Sequence, residues 1–499
     1  MHTKKRTCYL TLLVLLIVEL GTVSASMAQT SKPNESQQNL LVAVQKKLVQ
    51  IIQKNEPSVV AVVRTRRVAE QEPAILSTRP DPFGQADGSP RHGWVVGPPK
   101  RDPIADGEYA TGVILPKGLI LTTYHAVLGA DGRFDQTDYY VVTQDRKTHR
   151  ATLRAADPRS DLAILDIKAE NLTPITLGDA KHIEKGNFAV VLGNPRAIAA
   201  GDGPTASWTM VGNLAQKAPV NRFVSAEEQD KPTLHHFGTL IRTDARLASE
   251  STGGPLLDMQ GRMIGITTSL GDVPGLESRA SYAIPVDATF RRVVEQLSQG
   301  REAEYGYLGI ETEELTSQER QQGKQGVRVC RVCAGPGNPA RAVDIRRHDR
   351  ITTVAGRPVN CSDDLILAVG VLPVNQRVAV DLVRNGHKKQ VHVKLGKYPV
   401  HGRQWITVRP DPWRGIRVDY PTVVDYQGNA SSVGVDQSVA IVEVARDTPA
   451  WTAGLRPGMI VTHLNNLPTG TPEAFRRHAR NISGPAHLKT LDAERVILP

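Results

Sequence analysis

Cysteine is scarce in this 499-residue chain, with four in all. One of them, Cys8, lies in an N-terminal segment that reads as a cleaved export signal. The three left in an exported protein exclude a fold built on disulfides, which requires many pairs. Cys330 and Cys333 sit in an alternating, strand-like run from Val327 to Cys333. Residues three apart on a strand face opposite sides about 10 Å apart, too far for a disulfide, so both are expected to be buried strand cysteines. No second cysteine pair accompanies them and no metal-ligand spacing appears elsewhere, so no metal or cofactor is expected. Aromatic residues make up only 5%. The basic clusters Arg346-Arg347-His348 and His387-Lys388-Lys389 have none interleaved, which argues against nucleic-acid binding. Long apolar runs are missing beyond the N-terminus, so no integral membrane span is expected after signal cleavage.

What is present begins with that signal. Lys4, Lys5 and Arg6 precede an apolar run from Tyr9 to Val18, about half the ~20 residues a spanning helix needs. Small residues from Ser24 to Ala28 follow, so residues 1–28 are predicted to be a signal peptide cleaved after Ala28. Its loss removes three cations and one anion, lowering the formal net charge from +10 to +8. With 40% hydrophobic and 22% charged residues the rest can bury ordinary cores, and its length suggests roughly two to four domains.

Apolar residues recur at Leu41, Val44, Leu48, Ile51 and Ile52, predicting a helix over 39–54 that ends before Pro57. Residues 66–108, rich in Pro, Gly and charge, are predicted to form a long loop. From 110 to 290 short apolar runs alternate with turns: 111–115, 118–122, 162–165, 188–192 and 263–267. That pattern predicts a β-barrel or sandwich, closed by a helix near 286–300. Downstream, Asn338 to Ile351 resembles Thr448 to Ile460, predicting two copies of one module about 110 residues apart.

Three residues carry candidate chemistry in the order histidine, aspartate, hydroxyl. His125 follows the apolar run 119–121, Asp161 precedes Leu162, and Thr252 stands in Glu250-Ser251-Thr252-Gly253-Gly254-Pro255. Acyl transfer of the serine type needs a nucleophilic hydroxyl, an imidazole to take its proton and a carboxylate to orient that imidazole. It also needs backbone N–H groups aimed at the oxyanion.

With Gly178-Asp179, Gly193-Asn194-Pro195, Thr243-Asp244-Ala245 and the run Tyr282 to Asp287, these motifs resemble the HtrA/DegP family from about Asn39 to the end. The resemblance implies a mainly β fold: a chymotrypsin/trypsin-like double β-barrel over 29–300, followed by PDZ-like α+β domains over 305–397 and 405–499. It implies export to the periplasm or cell envelope and protein quality control. It also implies a homo-oligomer, a trimer in the family, or a mixed oligomer with a paralogue. The partners implied are unfolded or C-terminally exposed polypeptides. The triad would be His125 as general base, Asp161 as its orienter and Thr252 as nucleophile, with the N–H groups of Glu250 and Thr252 lining the oxyanion hole. Arg246 would stand at the base of the specificity pocket, either selecting acidic side chains or plugging an unused pocket. Tyr307, Leu308, Gly309 and Ile310 would form the carboxylate loop of the first PDZ domain. Trp413-Arg414-Gly415-Ile416 would do so in the second, whose end, Ala486 to Pro499, is short for closing strands.

Two departures fall in the nucleophile loop, where the family has Gly-Asn-Ser. The extra methyl of Thr252 locks χ1 and crowds the approach of a substrate carbonyl. Glu250 replaces a flexible glycine and brings a carboxylate towards the developing anion. Impaired or absent proteolysis is expected; an endopeptidase using Thr252 is the alternative.

Overall fold

The computed structural model describes residues 35–66, 107–128, 134, 136–216, 239–245, 251–268, 281–335, 337–399, 405–424 and 437–499. Residues 1–28, expected to be a signal peptide, residues 67–106 of the expected loop, Arg246 and Glu250 lie outside the described residues. The first helix spans Glu35–Asn55. It starts ahead of the apolar spacing because polar residues extend a helix without periodic signal. The chain from Lys54 onward forms one compact unit.

That unit opens with two closed six-stranded antiparallel barrels. The first holds β1 (Val59–Arg66), β2 (Glu108–Leu115), β3 (Leu119–Thr123), β4 (Thr137–Val142), β5 (Thr148–Asp157) and β6 (Leu162–Ile167). They run in the order β5-β4-β1-β2-β3-β6, and β6 pairs back with β5. The second holds β7 (Phe188–Gly193), β8 (Thr205–Gln216), β9 (Leu240–Thr243), β10 (Pro255–Leu257), β11 (Met263–Thr268) and β12 (Ser281–Pro285), closed by β10 on β7. Val60, Ile120 and Leu165 are among the residues filling the first barrel, Val191, Ile241 and Leu256 the second. Strands β5, β8 and β9 carry no apolar run longer than two residues. In β5 only Ala151, Leu153, Ala155 and Ala156 supply apolar burial among charged neighbours. The helix Ala288–Ser298 follows, its N-terminus capped by the Asp287 carboxylate accepting from Phe290 N–H at 2.8 Å.

Two PDZ-like sheets come next, each with a short helix after its second strand and a longer one beside its first. In the first, Asp344 and His348 adopt left-handed backbone (φ 58° and 73°), as Gly454 and Gly458 do in the second (φ 78° and 90°). Arg346 and Arg384 hold Asp344 there through ion pairs, lowering its carboxyl to about 2. The cysteine expectation is corrected in part: Cys330 and Cys333 are only half-buried, and Cys333 lies just past the strand Val327–Val332. The end of the chain is not too short to close its sheet. Ala486–Thr490 and Glu494–Ile497 pair over four register positions.

Between the two PDZ-like domains the chain returns to the first barrel. Trp405–Ile406 pairs with Ala155 and Ala156 of β5, and Val408 N–H donates to the Gly300 carbonyl at 3.0 Å. Nearby, the buried Lys397 ammonium donates to Glu302 and Asp419, both at 2.8 Å, with Glu304 at 3.9 Å. Burial raises the Glu304 carboxyl to about 7; Lys397 opposes that, while Asp419, Glu473 and Glu302 add to it. An unfolded glutamate titrates near 4.5. The folded chain therefore holds this proton more tightly, and the stability it brings is complete at low pH and lost as pH rises through about 7. Glu304→Gln removes that loss. Urea unfolding should show the variant more stable than wild type at pH 8, on the order of 1 kcal/mol given partial solvent screening, with the gap closing towards pH 4.5.

Candidate functional site

The catalytic-type residues meet where the two barrels face each other. His125 lies in the one-turn helix Tyr124–Leu128 directly after β3, and Asp161 immediately precedes β6, which pairs with β3. That pairing brings the two ends together: Tyr124 N–H donates to the Asp161 carbonyl at 2.9 Å, and His125 N–H to the Asp161 carboxylate at 3.0 Å. The imidazole Nδ1 stands 2.9 and 2.8 Å from the two carboxylate oxygens. Asp161 is fully buried and left-handed (φ 56°), and its Oδ2 also accepts from the Thr268 hydroxyl at 2.8 Å. A carboxylate held this way fixes the tautomer with hydrogen on Nδ1, leaving Nε2 free to accept a proton. The Tyr124 hydroxyl, raised to about 12 by burial and then by Asp157 and Asp161, stays protonated beside them.

Thr252 comes from the second barrel. Its Oγ1 is 3.2 Å from His125 Nε2 and 3.3 Å from the Thr267 carbonyl oxygen. Both neighbours accept and the hydroxyl has one proton, so Nε2 competes with a backbone carbonyl for it. Thr267 also grips the loop: its hydroxyl donates to the Ser251 carbonyl at 2.8 Å and accepts from Gly254 N–H at 2.9 Å. Sequence reading missed Thr267 and Thr268, because a threonine pair at a strand end looks like ordinary β-propensity. Their only sequence signal is placement at the end of the run 263–267.

Gly253 shows why the loop needs glycine. Its φ is 88°, and an added Cβ would lie 2.0 Å from the Thr111 carbonyl oxygen. Gly253→Ala is expected to cost at least about 3 kcal/mol, from clash and left-handed strain together, read as a lower urea midpoint. Beside this loop, the Asp244 carboxylate accepts from Thr209 Oγ1 at 2.6 Å and Met210 N–H at 2.8 Å, which lowers its pKa. Among the described residues no group of three or more His, Cys, Asp or Glu is arranged to hold a metal ion.

In the first PDZ-like domain the loop Tyr307-Leu308-Gly309-Ile310 is held from one side. The Leu308 carbonyl accepts from Ala340 N–H at 3.1 Å, and the Gly309 carbonyl accepts from Cys333 N–H at 3.0 Å and the Asn338 amide at 2.8 Å. In a planar trans peptide the N–H opposes the preceding carbonyl, so Gly309 and Ile310 aim their N–H groups the other way. Gly309 (φ 79°) is required, because a Cβ would come within 2.4 Å of the Asn338 amide nitrogen. The strand Ile310–Glu313 is last in its sheet and borders the helix Ser362–Gly370, the layout of a strand-addition groove. The corresponding loop of the second domain is more closed. Trp413 and Ile416 exchange both backbone bonds, and the Trp413 ring stacks edge-on against Phe475 of the helix Pro472–Arg480 at 5.7 Å.

The sequence matches the trypsin-like peptidase domain over residues 110–266 and the PDZ domain over 306–395. It is 26% identical over 380 residues to a probable periplasmic serine endoprotease DegP-like of Pseudomonas putida, covering 74% of this chain and 73% of the relative. It is 25% identical over 468 residues to a protein of the same description from Chlamydia trachomatis, covering 90% of this chain and 87% of the relative. Among solved structures, the HtrA-type protease AlgW with decapeptide shares the fold, with a TM-score of 0.50 and 22% identity over 70% of this chain and 99% of that one.

Proposed function

Because the chain is an exported HtrA/DegP-like protein with a trypsin-like domain and PDZ domains, we propose that it captures unfolded or C-terminally exposed polypeptides in the periplasm and cleaves them slowly. In this reading residues 1–28 are its export signal, and it works as a homo-oligomer or mixed with a paralogue. His125 is the general base, Asp161 its orienter and Thr252 the nucleophile. The N–H groups of Glu250 and Thr252 serve the oxyanion, and Arg246 lies at the specificity pocket.

The observation that carries the reading is the shared Thr252 hydroxyl, 3.2 Å from Nε2 and 3.3 Å from the Thr267 carbonyl. Attack requires the proton to pass to Nε2 while Oγ1 approaches the substrate carbonyl. The β-branch restricts χ1, so Thr252 swings away from the competing carbonyl less readily than serine would. A second reading, an unimpaired endopeptidase with Thr252 as nucleophile, is favoured by the complete hydrogen-bonded line from Thr268 through Asp161 and His125 to Thr252.

Wild type and Thr252→Ala, incubated with a labelled unfolded protein, separate these readings. The proposal expects equal binding by both, slow cleavage by wild type and none by the variant. Fast wild-type cleavage would favour the second reading, and residual cleavage by Thr252→Ala would remove Thr252 from both.

A further inference from the structure

We infer that Tyr305, in the segment joining the trypsin-like domain to the first PDZ-like domain, is a positioning residue for Asp161, acting through the buried carboxylate of Asp157. The inference rests on the reading that His125, Asp161 and Thr252 form the catalytic line.

Asp161 holds a left-handed backbone that non-glycine residues adopt only when their surroundings impose it. Those surroundings are the five-residue turn 157–161. At its start, the Asp157 carboxylate accepts from Ser160 N–H at 2.9 Å, Ser160 Oγ at 2.5 Å and the Tyr305 hydroxyl. Ser160 directly precedes Asp161, so the carboxylate that pins Ser160 sets the backbone entering Asp161. Burial raises the Asp157 pKa, and the hydrogen bonds from Ser160 and Tyr305 oppose that rise. Without the Tyr305 donor, a carboxylate in this dry site takes up a proton or turns away, and its hold on Ser160 weakens.

The chain beyond the barrels reaches this turn and the strand leading into it twice more. The Arg159 guanidinium lies 3.6 Å from the ring centroid of Tyr398, at the end of the first PDZ-like domain, and 5.0 Å from that of Tyr305. The strand Trp405–Ile406 pairs with the two residues before Asp157. The turn that leads into Asp161 is therefore held in part from outside the two barrels. Tyr305 and Asp157 are almost wholly buried, at 1% and 2% exposure, which leaves water unable to replace the lost donor.

The test compares full-length wild type with Tyr305→Phe by the low-field proton NMR signal of His125 Nδ1–H bonded to Asp161, which needs no turnover. The expected result is loss or marked broadening of that signal in Tyr305→Phe and its retention in Glu304→Gln at the same junction. In a Thr252→Ser background, Tyr305→Phe should lower kcat about tenfold to a hundredfold with KM unchanged. If Tyr305→Phe does not fold, Ser160→Ala removes the other hydroxyl donor to the same carboxylate and carries the same expectation. An unchanged signal and unchanged kcat overturn the inference. A Thr252→Ser chain that is inactive while the signal still responds to Tyr305→Phe overturns the proposed function alone.

Discussion

Thr252→Ser is expected to raise the rate of peptide-bond hydrolysis by about a hundredfold over wild type, with little change in KM. The acceptor and its orienter already stand in place: Asp161 bonds Nδ1 at 2.8 Å, and Nε2 is 3.2 Å from the hydroxyl. What serine changes is freedom about χ1. The Thr267 carbonyl lies 3.3 Å from Oγ1 and holds it as an alternative acceptor. An unbranched side chain can leave that acceptor, give its proton to Nε2 and approach the substrate carbonyl without a methyl in the path. Thr252 is buried, so a branched side chain has little room to find another rotamer. Cleavage of an unfolded protein by wild type, Thr252→Ser and Thr252→Ala, followed as kcat and KM, checks this. Equal rates for the first two would place the limitation elsewhere, with Glu250 next to test.

Asp161→Asn in the Thr252→Ser background is expected to lower kcat about 10³- to 10⁴-fold while the fold persists. The carboxylate accepts from His125 N–H, His125 Nδ1–H and the Thr268 hydroxyl. An amide keeps one accepting oxygen but turns an N–H₂ towards an imidazole nitrogen that, in the productive tautomer, donates. The imidazole then escapes by moving its proton to Nε2, the atom that must receive the Thr252 proton, and the general base is lost. The pH–rate profile separates this from unfolding: the variant should lose the ascending limb assigned to His125, with its melting temperature within a few degrees of the parent. A loss of less than about tenfold would mean that Asp161 does not orient the base.

Much of the fold was legible in residue order. Runs such as 119–121 and 188–192 are apolar enough to be strands in any context, and the helix expected near 286–300 forms over Ala288–Ser298. Strand β5 was not legible. It becomes a strand because Ala151, Leu153 and Ala156 meet the first barrel's core, and its arginines reach solvent or partners such as Asp166. The short end of the chain was misjudged for a similar reason. A strand of four residues suffices when its neighbour supplies the register.

By itself the sequence determined the chemistry available: an imidazole, a carboxylate and a threonine hydroxyl in a glycine-bearing loop, with two copies of one module downstream. Motif spacing carries that information because local turns place those residues at strand ends. Only the tertiary structure decided how the hydroxyl is shared between Nε2 and the Thr267 carbonyl. It alone showed that Thr268 holds Asp161, and that Tyr305 and Tyr398 reach back to the turn bearing that aspartate. Those contacts join residues 107 to 239 positions apart, and barrel closure and domain docking, not any local pattern, bring them within bonding distance.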